Sequence, residues 1–120
     1  SDTQLAEIIK KQPQMLSLNQ MFRVARLYPE GSEEFDATIH TALRFYADDP
    51  VANTNAAVAA LKAKRYDEAA ALLNKAGNLP EAENARGVLA TFKGDYESAA
   101  SHFEKAGSLP EAQKNKALLE

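Results

Sequence analysis

Cysteine and tryptophan are both missing from this chain, and its two histidines stand on separate stretches. Without cysteine there is neither a disulfide nor a thiolate metal site, and the redox compartment stays open. Long apolar runs are missing too. The longest, Ala56 to Leu61, is stopped by Lys62, far short of the ~18 residues that crossing a bilayer requires, so direct membrane insertion is not expected. Nor is there an excess of charge of one sign: 14 Lys and Arg face 17 Asp and Glu, a net −3, and the two signs are interleaved. With no basic stripe to meet phosphates, nucleic acid is not an expected partner.

Catalytic patterns are equally scarce. The chain has no paired-histidine zinc motif, no Gly-rich phosphate loop and no calcium-loop spacing. His40 and His102 read as solvent-facing or interhelical residues, and Glu33-Glu34 and Asp48-Asp49 as helix-start acids that favour the positive end of the helix dipole. The expectation is a protein that is not an enzyme, with no catalytic residue, no metal and no cofactor. The chain opens on Ser1-Asp2, with no initiator Met and no signal-peptide pattern, which suggests a processed protein or a piece of a longer one.

What the chain does have is an echo. Arg65 to Pro80 (RYDEAAALLNKAGNLP) returns thirty residues later as Asp95 to Pro110 (DYESAASHFEKAGSLP). A unit this small cannot bury its own apolar face and has to stack on neighbours. Apolar residues recur at helical spacing almost end to end, so an all-α fold follows. The spacing predicts helices over about 3–11 (Asp2 as N-cap), 14–28, 32–47, 50–63, 66–76, 80–93 and 96–106, with an eighth from Leu109 onward. Asp49-Pro50 supplies a cap and a first-turn proline. Asn78-Leu79-Pro80-Glu81 and Ser108-Leu109-Pro110-Glu111 have the spacing of capping boxes. Gly77 and Gly107 stand where a helix C-terminus takes a left-handed residue. In the turn that Gly94 and Asp95 make, the earlier copy carries Lys64 and Arg65, which predicts a tighter or more strained turn.

The order of small and large residues resembles the tetratricopeptide repeat. Small residues stand mid-way along the first helix of each pair, Ala57 and Gly87, and at the crossing on the second, Ala69 and Ala99. Large ones follow four later, Leu73 and Phe103, then Ala76 and Ala106. Small residues at a crossing let helix axes approach to about 8–10 Å while the large one fills the groove beside them. The copies depart from the family in their thirty-residue spacing, against about 34, and in Arg86, where an apolar residue is common. Arg23 stands at the small position of a worn copy upstream.

The resemblance implies a tetratricopeptide-like, right-handed superhelix of about three hairpins with a terminal helix at each end. Its divisions are a leading helix (1–13), a degenerate repeat (14–49), two repeats (50–79 and 80–109) and a capping helix (110–120), all in one domain. Such an array implies a protein-interaction scaffold that binds a protein or peptide along the concave face of the first helices. That face maps onto Gln20, Tyr28, Thr54, Lys62, Asn84, Thr91 and Phe92, with Ser17, Val24, Leu27, Val58, Leu61 and Val88 between them. The clamp that captures a C-terminal carboxylate in chaperone-binding members is missing. A structural spacer or self-association module is the alternative, since the eighth helix lacks a partner. The strings Leu18 to Ala25, Gly31 to Phe35 and Ala52 to Ala57 resemble the C-terminal helical region of some bacterial cell-envelope proteins, which implies a periplasmic or envelope location within a larger protein.

Overall fold

The computed structural model describes all 120 residues and is all-α, with eight helices and no strand. They are α1 (Asp2–Lys11), α2 (Leu18–Ala25), α3 (Glu33–Phe45), α4 (Pro50–Lys62), α5 (Tyr66–Leu73), α6 (Pro80–Phe92), α7 (Tyr96–Lys105) and α8 (Pro110–Leu118). A 3-10 turn (Pro13–Met15) links α1 to α2. Each helix packs on the next in the chain, and α4 also meets α6, as α6 meets α8. The molecule measures 48 × 23 × 23 Å with a radius of gyration of 15.1 Å, above the about 13.6 Å of a compact chain of this length.

Three apolar clusters take the place of a single core. Met21, Phe22, Ile39, Ala42 and Ala56 hold α2, α3 and α4 together. Ala57, Leu61, Ala69, Leu73, Ala85 and Leu89 hold α4, α5 and α6. Ala99, Phe103, Ala106 and Ala112 hold α7 to α8. Alanine dominates because helix axes come close there. At Gly87 an added Cβ would lie 2.3 Å from a ring carbon of Phe103, so only glycine fits beneath that ring.

Several helix ends differ from the expected ones, each for a local reason. Ser1, not Asp2, caps α1 and forms a capping box with Gln4, while Asp2 pairs with Arg23. The continuous helix expected from residue 14 to 28 does not form. Pro13 opens only a 3-10 turn, Met15 is left exposed, and α2 starts afresh behind the capping box of Ser17 and Gln20. At its far end α2 closes at Ala25, because a helical Pro29 would press its ring against the Ala25 carbonyl. The Leu27 and Tyr28 amides instead donate to Val24 and Ala25, three residues back. α5 likewise stops at Leu73 rather than Ala76.

The capping boxes expected at Asn78 and Ser108 do not form either. α6 and α8 begin at the prolines, so Leu79 and Leu109 occupy the N-caps with no side-chain bond. Both leucines pack against the core instead. Asp49 directly precedes Pro50, and its carboxylate accepts from the amides of Val51 (2.8 Å) and Ala52 (3.0 Å). Lys64 sits at φ +63° where Gly94 has +81°. The turn is therefore strained as expected, though not tighter: Arg65 N–H reaches Ala60 O at 2.8 Å and Asp95 N–H reaches Ala90 O at 2.9 Å.

Candidate functional site

The seven residues of the expected binding face have separate fates. Gln20 is engaged in the α2 cap, where its side-chain oxygen accepts from Ser17 N–H at 2.8 Å. Thr54 is only 2% exposed and donates to Pro50 O at 2.7 Å, so it faces the interior and offers a partner nothing. Asn84 accepts from the Asn115 amide at 3.1 Å, tying α6 to α8. Thr91 donates to Gly87 O at 2.9 Å. Tyr28 is half-buried in the α2–α3 turn. Phe92 is 59% exposed, its ring centroid 5.0 Å from that of Tyr66. Lys62 is the single member of the seven that lines either cavity described next. Of the apolar residues between them, Val24 and Leu61 are buried in the core.

The first cavity, about 350 Å³, lies between α2, α3 and α4. Phe22, Ala25, Phe35, Ile39, Val58 and Ala59 make its apolar wall, with Arg26, Glu30, Asn55 and Lys62 at polar positions. Lys62 Nζ donates to Glu30 Oε2 at 2.9 Å, joining α4 to the α2–α3 turn. Arg26 forms no ion pair and no side-chain hydrogen bond, leaving its guanidinium free. Arg26 and Glu30 escape a reading of motifs, but the breaker Pro29-Gly31 points to them by ending α2 early.

A second cavity, about 280 Å³, lies between α5, α6 and α7, beside a charged cluster. Glu83, on the buried side of α6, accepts from Arg86 and lies 3.1 Å from His102 Nδ1. Arg86 also donates to Leu73 O at 2.7 Å, satisfying a carbonyl at the end of α5. Burial pushes the Glu83 carboxyl up, but hydrogen bonds from His102 and Arg86, together with their charge, outweigh it and hold the group below the ordinary carboxylate range. The polar Arg86 expected from the sequence to break the pattern is thus part of an ion cluster, and His102 is interhelical.

No group of three or more acidic or histidine side chains is placed to share a metal ion. No helix is long and apolar enough to cross a membrane. Comparison of the chain with protein-family models, with curated proteins and with solved structures finds no match in any of the three.

Proposed function

We propose that the chain is a tetratricopeptide-like helical array that acts as a non-enzymatic protein-interaction scaffold, binding a peptide or partner subunit along the face of α2, α4 and α6. The observation that carries this reading is the exposed apolar surface on that face. Phe92 is exposed on α6 with its ring tilted against the half-buried Tyr66 of α5, and α4 borders a cavity with an apolar wall. Large rigid side chains of this kind dominate binding energy at protein interfaces. The array reading is supported by matched burial in the copies: Ala57, Ala69 and Ala99 have no exposure, and Gly87 lies under Phe103. The resemblance of Leu18 to Ala25, Gly31 to Phe35 and Ala52 to Ala57 to a helical region of bacterial cell-envelope proteins is the ground for proposing a place in a larger envelope protein.

The test is a paired capture experiment. Phe92→Glu is expected to lose the partners that the wild-type chain recovers, at unchanged far-UV dichroism. Recovery of the same partners by the variant would put the interface elsewhere.

A second reading, as a self-association or spacer module, rests on α8. Leu118 is 77% exposed there, whereas its repeat equivalents Val58 and Val88 are half-buried. Sedimentation equilibrium separates the two readings, since a monomer at high concentration removes self-association.

A further inference from the structure

We propose that the cavity between α2, α3 and α4 is the anchor site of this scaffold, and that it takes a bulky apolar side chain with a carboxylate beside it in a segment of a protein partner. This rests on the interaction-scaffold reading and assigns it a place and a chemistry.

The cavity exists because two things that fill the corresponding space elsewhere in the chain are missing. First, α2 has 8 residues where α4 and α6 each have 13, a deficit of about 7.5 Å of helix at 1.5 Å per residue. α4 packs directly on α6 and α6 on α8, whereas α2 reaches α4 through the apolar cluster that both share with α3. Second, one of the α4 residues that line this space, beside Asn55, Val58 and Lys62, is the small Ala59. Thirty positions on, Leu89 is buried in the cluster of α4, α5 and α6. Where the later repeat inserts its own leucine, the earlier one leaves about 350 Å³ open, within the ~300–1,000 Å³ range of ligand sites.

The wall dictates an apolar occupant, because Phe22 and Ile39 beneath it have no polar group to satisfy a buried donor or acceptor. The polar positions dictate its charge. Arg26 and Lys62 stand against the single carboxylate Glu30 in a chain whose net charge is −3. Lys62 is already paired with Glu30 and Arg26 with nothing. A carboxylate beside the buried side chain would complete a charge-assisted, two-point hydrogen bond with the Arg26 guanidinium.

The test titrates isotopically labelled protein with short, terminally blocked peptides, followed by amide chemical shifts. The probe carries Leu-Phe followed by two Glu; one control replaces the Glu pair with Lys, and another replaces Leu-Phe with Ser. Shifts are expected for the probe alone, concentrated at Ala25, Arg26, Gly31 and Val58 to Lys62. Arg26→Glu should weaken binding about tenfold or more, the loss of one charge-assisted contact plus new repulsion. Ala59→Leu, which supplies the later repeat's residue, should abolish binding. If that variant fails to fold, Arg26→Glu retains the readout, because Arg26 is exposed and unpaired. Equal binding of the lysine peptide, binding unaffected by Ala59→Leu, or no shift at the cavity at millimolar probe overturns the proposal. Shifts at Tyr66 and Phe92 instead would overturn it while leaving the scaffold reading intact. Concentration-dependent shifts at the cavity without peptide would assign it to a second copy of the chain and overturn the peptide.

Discussion

Residues 50–62 and 80–92 fold into helices of equal length, each followed after three residues by a shorter one, yet side chains of different kinds hold the two pairs. In the earlier pair the residue equivalent to Glu83 is Asn53, buried like its neighbour Thr54, and its amide donates to Ala47 O and Asp49 O, both at 2.9 Å. In the later pair Glu83 itself takes that place, and it needs Arg86 from its own helix and His102 from α7. The crossing is Ala57 with Leu73 in one and Gly87 with Phe103 in the other. Volume removed from one helix is returned by its partner. The difference teaches that the backbone repeat tolerates several chemistries, provided that size and hydrogen bonding are balanced within each pair.

Breaking that balance is expected to cost most at Glu83. Glu83→Ala leaves Arg86 and His102 without their shared acceptor and should destabilise the fold by about 3 kcal/mol, as removal of one partner from a buried ion pair does; urea unfolding measures it. The same group sets an acid limb. Because the folded state holds the Glu83 carboxyl below the ordinary 4.5, its contribution is complete above that value and is lost as pH falls through the lower, folded-state value. Glu68 is lowered as well, first by its hydrogen bond from Arg65, so the informative quantity is the difference between wild type and Glu83→Gln. The variant should show the flatter loss of stability below pH 4.5, and parallel curves would remove Glu83 from the account.

Next in size is the crossing. Gly87→Ala should destabilise by about 1–3 kcal/mol through overpacking against Phe103, even though alanine is the better helix former. Adding Phe103→Leu reproduces the earlier repeat's pair and should recover most of the loss. Additive effects in a double-mutant cycle would show that the two positions are not coupled. The smallest effect sharpens the comparison at the turns. Lys64→Gly relieves a left-handed lysine and should raise stability by about 0.5–1 kcal/mol. No rise in melting temperature would mean that the strain is compensated by contacts of the lysine.

Legibility of the fold followed periodicity. The eight helices and the left-handed turns at Gly77 and Gly107 were readable because apolar spacing and glycine act locally. Caps were readable only where register was unambiguous. Asp49 touches Pro50 directly, whereas Asn78 and Ser108 sit one residue too far out and leave leucine at the cap. The expected binding face was the least legible part. Thr54 and Asn84 occupy equivalent positions, yet one is sealed in the interior while the other pairs with Asn115. Their surroundings come from helices that lie far along the chain.

The sequence alone determined the helical class, the thirty-residue repetition and the small-to-large pairing at each crossing. All of these depend on residues within one hairpin, where steric size and backbone preference decide. Only the tertiary structure decided that Arg26 and Lys62 border the space beside the short α2, and that Glu83, Arg86 and His102 meet. Those features depend on which side chain a neighbouring helix presents across a gap, and local propensity carries no record of that.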